Sequence, residues 1–188
     1  MIKYSISKKA PIIFGALIVF FVSCENPFEQ EIVQVESMQL QLNECEEMVA
    51  PLDANKVRDM YNEYGKIMAV IKKKYMSDSV TVDQKFGQMT NLYKGVKRIK
   101  GFGINKENIL EEIAFTKTQL ENLKDDLVHK DIDNSDTIKS YINTEQEALT
   151  EIKVASFNLK SNYTLLLSVQ DTVYPYMKAV VDSLNTLN

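Results

Sequence analysis

Residues 135–187 read SDTIKSYINTEQEALTEIKVASFNLKSNYTLLLSVQDTVYPYMKAVVDSLNTL, and their spacing decides the fold. Ile138, Ile142, Glu145, Leu149, Ile152, Ser156, Leu159, Tyr163, Leu166, Gln170, Val173, Met177, Val180, Leu184 and Leu187 follow one another in steps of four and three. Such steps return a side chain to the same side of an α-helix, so the stretch predicts one long apolar stripe. Pro175 falls inside it. Proline has no N–H and its ring meets the carbonyl one turn back, so the reading is a fifth helix to about 170 and a sixth from about 174. Polar Glu145, Ser156 and Gln170 interrupt the stripe and are expected to mark register, water or a partner surface.

The same alternation recurs upstream. Ile109, Ile113, Thr116, Leu120, Leu123 and Leu127 predict a fourth helix over 106–130, started by Asn105. Val82, Phe86, Met89, Tyr93 and Val96 predict a third over 82–100, ended by the glycines at 101 and 103. Val57, Met60, Tyr64, Ile67 and Ile71 give a second over 53–76, capped by Asp53, and Val35, Met38, Leu42, Cys45 and Val49 give a first over 31–49, stopped by Pro51. Six Gly, four Pro and no Trp suit a helical chain. The fold class that follows is all-α: an antiparallel helical bundle or helical hairpins with coiled-coil-like heptad seams. One continuous coiled coil is the competitor, and the breaks at Pro51, Ser77, Gly101 and Asp133 are read as points where the chain folds back.

The first 23 residues belong to no such stripe. Lys3, Lys8 and Lys9 precede an apolar run over 11–22 that is too short to span a bilayer, and Ser23 stands before Cys24. This segment resembles the lipobox signal of bacterial envelope lipoproteins, in which a small residue precedes the cysteine that becomes the mature amino terminus. Phe21 stands where that pattern usually has Leu. The resemblance implies a thioether-linked diacylglyceryl group on Cys24, cleavage before it, and an acylated amino group. Two or more acyl chains make a stable anchor, at about 0.8 kcal/mol per buried CH₂. The expected domains are a signal peptide over 1–23, the lipidated cysteine with its tether over 24–30, and a helical domain over 31–188.

Three of the 22 basic residues leave with the signal, so 19 remain against 26 acids, a net charge of −7. That balance gives no electrostatic reason to seek nucleic acid. Lipidation of Cys24 leaves Cys45 without an intramolecular partner, so no disulfide framework is expected, and its place in the first stripe predicts a small buried hydrophobe.

Catalytic patterns are lacking. His129 near a helix end reads as a partner of the helix dipole, and no phosphate loop, nucleophile elbow or paired-cysteine metal motif is present. Asp131, Asp133 and Asp136 faintly resemble a calcium loop, but Asp136 occupies the glycine position and Ile142 that of the bidentate acid. No metal and no cofactor are expected. Lys72–Lys74 and the group Lys94, Lys97, Arg98 and Lys100 sit in last helical turns, where cations offset exposed carbonyls.

Asp78-Ser79-Val80, Asp136-Thr137-Ile138, Asp171-Thr172-Val173 and Asp182-Ser183-Leu184 share one pattern that composition alone would give about once. It resembles the O-glycosylation acceptor of exported Bacteroidota proteins, which implies modification at Ser79, Thr137, Thr172 and Ser183. Capping is the competing explanation for the first two. Glu25, Glu29 and Glu31 loosely resemble the acidic export tract of surface lipoproteins of the same bacteria. The expectation is therefore an outer-membrane lipoprotein, facing either the periplasm or the medium, that acts as a non-enzymatic helical protein-interaction or scaffold module with an envelope protein as partner. A carrier opening an apolar groove for a lipid or small ligand is the alternative, supported by the eight Met, and an enzyme assembled only by folding is the third class.

Overall fold

A computed structural model describes residues 26–75 and 84–186. It contains α1 (Glu29–Val49), α2 (Ala54–Tyr75), α3 (Gln84–Lys97), α4 (Phe102–His129), α5 (Ser135–Thr172) and α6 (Tyr174–Thr186), with no strand among the described residues. The protein is an all-α helical bundle.

Side-chain pairings give the directions. On α1, Gln41 accepts from Lys153 at 2.9 Å and Cys45 lies beside Ser156; on α2, Tyr64 donates to Gln170 at 3.2 Å and Lys74 donates to Asn185 at 3.0 Å. Rising numbers on α1 and α2 meet rising numbers on α5 and α6, so these are two parallel columns. The third column runs the other way. Lys117 and Lys124 of α4 pair with Glu46 and Glu36 of α1, while Tyr93 of α3 lies beside Gly65 and Gly103 beside Ala54.

The breaks at Pro51 and Gly101 therefore do not fold the chain back, contrary to the expectation from sequence. Ala50 keeps a helical backbone, Asp53 Oδ1 accepts from the Lys56 N–H at 2.9 Å, and α2 carries on in the direction of α1. The carbonyls freed by the break are satisfied from across the bundle, because Lys106 Nζ reaches both Ala50 O and Leu52 O at 2.7 Å. At Gly101 a left-handed residue (φ 86°) suffices for the step, and α4 begins at Phe102 rather than at 106. The extra turn buries Phe102, whose ring lies 5.9 Å from that of Tyr163, so apolar packing favours the earlier start.

The segment 76–83, with the break expected at Ser77, lies outside the described residues; one other expected break remains, at Asp133. That one is built by Lys130, which takes the left-handed conformation (φ 61°), and by Asn134, whose Oδ1 accepts from the N–H groups of Asp136 and Thr137. Pro175 produces a one-residue interruption at Val173 as expected, since Val173 N still bonds Val169 O at 2.9 Å. α1 starts at Glu29, so the last two residues of the expected tether are helical.

Each column packs the described part of the stripe read from its sequence into a core, Leu187 at the end of the last stripe lying outside the described residues. One core cluster joins Val35, Leu42, Ile113, Leu120, Ile142 and Leu149 of α1, α4 and α5; a second joins Val57, Tyr64, Met89, Val96, Leu166 and Met177 of α2, α3, α5 and α6. α5, with 38 residues and about 57 Å long at 1.5 Å per residue, runs through both. Val82 and the Phe86 side chain of the third stripe lie outside the described residues.

Candidate functional site

The other two columns cover one flank of α4 and leave the other open. Toward α1 the flank is held by ions: Lys117 pairs with Glu46, Lys124 with Glu36 at 2.7 Å, and on α5 Lys153 reaches Gln41. The opposite flank carries Asn108, Glu112, Phe115, Gln119, Asn122 and Asp126, again in steps of four and three, so they form a second stripe beside the buried one.

This stripe and the facing side of α5 border a chain of hollows. One of about 340 Å³ is lined by Asn108, Ile109, Glu112, Ala148, Glu151, Ile152 and Ala155. It shares Asn108, Ile109 and Ala155 with a second of about 320 Å³, which extends to Asn158 and Asn162. A third, about 270 Å³, lies toward the other end of α4 between Gln119, Asn122, Asp126, Tyr141 and Glu145. Ala148 and Ala155 explain the open space, since a single methyl group cannot fill the gap between two helices. On the α4 stripe, Phe115 falls between the residues lining the first and third hollows and is 61% exposed, and Tyr141 is 50% exposed.

The electrostatics are one-sided. Glu112, Asp126, Glu145 and Glu151 line these hollows, and no Lys or Arg does so among the described residues. Burial pushes the Glu145 carboxyl above its ordinary range. Glu145 is thus the polar stripe position that sits half-buried on the open flank.

The other two polar stripe positions have internal roles. Gln170 Oε1 accepts from Tyr64, whose ring meets that of Tyr174 edge-on at 5.6 Å, and Tyr174 in turn donates to Glu63. The hydrogen bond to Glu63 and burial raise the Tyr174 hydroxyl to about 12, and burial pushes that of Tyr64 higher still. Ser156 is fully buried and its Oγ has no partner in hydrogen-bond geometry; the adjacent Cys45 is a free, buried thiol that burial pushes up while Ser156 pulls it down.

A further hollow of about 440 Å³ lies where α2 starts beside the start of α4, lined by Ala54, Arg58, Tyr61, Lys100, Phe102 and Glu107 among others. It is open to solvent and mixed in polarity, unlike an enclosed apolar cavity. Lys72 and Lys97 both stand over the Tyr93 ring, at 5.6 and 5.3 Å, so the two basic helix ends converge on one aromatic. His129 is exposed, with Nδ1 2.9 Å from Asp125 O.

The residues singled out from sequence do not converge. Cys24, the signal peptide and Ser79 lie outside the described residues. Thr137 is half-buried in the first turn of α5, whereas Thr172 and Ser183 are exposed, with the Thr172 hydroxyl donating to Ser168 O at 2.7 Å. Among the described residues there is no group of His, Cys, Asp and Glu able to hold a metal and no helix long and apolar enough to cross a membrane. No family model, curated protein or solved structure matches the chain.

The open flank was the feature missed in reading the sequence. Its signal is present, because 108–126 repeats every seven residues, but the repeat is of amides, acids and one Phe, and a search for apolar periodicity passes over it.

Proposed function

We propose that this chain is a lipid-anchored cell-envelope lipoprotein that acts as a non-enzymatic helical protein-interaction or scaffold module. The observation that carries the interaction is the uncovered α4–α5 flank, where Phe115 stands 61% exposed beside open hollows. A large apolar side chain at the middle of an uncovered helix face is what helix-in-groove recognition uses as an anchor. The carrier alternative draws less support, because the hollows are open grooves.

Support for the anchor comes from the signal-like first 23 residues and Cys24. Two residues beyond Cys24, Asn26 Nδ2 donates to Leu127 O at 3.1 Å and Asn26 Oδ1 accepts from the Phe28 N–H. An acyl anchor at 24 would hold the bundle by the end where α1 starts and α4 stops. The exposure of Thr172 and Ser183 supports glycan attachment at those two positions.

The interaction is tested by a photo-reactive residue at position 115 in protein made by its native host. A specific protein cross-link from 115, absent when the residue is placed at Glu44 on the outside of α1, is expected; no protein cross-link from 115 overturns the reading. The anchor is tested separately: Cys24→Ala leaves a precursor without acyl mass and abolishes stable membrane association, and unchanged mass and fractionation refute it.

A further inference from the structure

We infer that the α4–α5 groove docks a cationic amphipathic helix of a partner protein, about 18 residues long. This rests on the interaction reading above and gives it a surface and a chemistry. The length follows from the second stripe: Asn108 to Asp126 spans about 27 Å at 1.5 Å per residue, five turns that a straight partner helix would match residue for residue.

The shape fits a helix. The small side chains of Ala148 and Ala155 leave a trough beside Ile109 and Ile152, with Phe115 and Tyr141 projecting from the two helices that flank it. An apolar stripe laid on that trough would complete the position a fourth column occupies in a four-helix bundle. Amide side chains at Asn108, Asn122, Asn158 and Asn162 offer donors and acceptors along the edges.

Charge selects the partner. The lysines of α4 and α5 that make polar contacts are drawn to the first column: Lys106 to Ala50 and Leu52, Lys117 to Glu46, Lys124 to Glu36 and Lys153 to Gln41. The groove keeps the carboxylates. Glu112, Asp126, Glu145 and Glu151 line it with no cation among the described lining residues, so lysines or arginines flanking the apolar stripe of an incoming helix would find their counter-charges already aligned, and an acidic helix would be repelled.

The test uses the full lipidated chain in phosphatidylcholine nanodiscs with a photo-reactive residue at 115. The probes are two synthetic helices of about 21 residues with the same Leu stripe, one flanked by Lys and the other by Glu. Cross-linking of the Lys helix and not of the Glu helix is expected, with apparent affinity lowered about tenfold by Glu112→Lys with Glu151→Lys. The same double reversal at Glu44 and Glu47, on the outside of α1, should leave affinity unchanged. Equal capture of both helices, an equal loss from the α1 reversal, or cross-linking of 115 to a second copy of this chain overturns the inference. In the native host the same photo-residue separates the two readings. Capture of a protein through an uncharged or acidic segment sinks the cationic helix and leaves the interaction module standing, whereas capture of no protein removes both.

Discussion

The ammonium of Lys106 lies 2.7 Å from the carbonyl oxygen of Leu52 and at the same distance from that of Ala50. One α4 side chain thus closes the gap in the first column, where Pro51 interrupts the backbone ladder. Lys106→Met keeps most of the stem and removes the donor. It should lower stability by about 1–2 kcal/mol, read as a shift of the urea midpoint without a change in slope, because two carbonyls lose a charged partner at a partly buried site.

Leu120 and Phe115 lie five residues apart on α4 and should behave oppositely. Leu120 is fully buried, so Leu120→Ala should cost about 2–5 kcal/mol through lost contacts and the cavity left behind. Phe115→Ala should change stability by less than about 0.5 kcal/mol while abolishing partner capture. Denaturation of both variants beside wild type checks the contrast; a large loss at Phe115 would mean that it packs within the bundle.

Glu145 sets a pH dependence. Burial raises its folded pKa above the unfolded value, so the folded state favours the protonated acid. The stabilisation is complete below the unfolded pKa and is lost as pH rises through the raised folded value. Glu145→Gln, which stays neutral, should therefore raise the thermal midpoint at neutral pH, and the gain should shrink on acidification below the ordinary carboxylate range. A gain independent of pH would refute the cause assigned.

Ser156 is buried with no hydrogen-bond partner in good geometry, next to the Cys45 thiol. Ser156→Ala removes a desolvated hydroxyl and should be neutral or stabilising by up to about 1 kcal/mol, whereas Cys45→Ser adds a second one and should destabilise by about 1–3 kcal/mol. Calorimetry of the two variants decides, and a marked loss in Ser156→Ala would show that the hydroxyl is satisfied.

Much of the fold was legible because periodicity is local. Val35 to Val49, Ile113 to Leu127 and Ile138 to Leu159 name their own buried faces through steps of three and four, and Pro175 announces its own interruption. What a break does to chain direction is not local. Pro51 and Ser77 look alike as helix stops, yet α2 continues along the line of α1 while α3 runs antiparallel to α2, and what packs against the break at Pro51 is Lys106 and Gly103, contributed from α4.

The candidate surface divides in the same way. Sequence alone determined the helical class, the buried stripes, the place of Cys45 on one of them and the signal-like start, since each depends on composition or on spacing within one segment. Tertiary structure alone decided that the chain forms three columns, that the α4 lysines turn toward α1, and that Glu112 and Glu151 share an uncovered groove. Those facts concern residues far apart in the chain, and only packing of whole helices, with the desolvation and charge pairing it enforces, determines which flank of each remains in water.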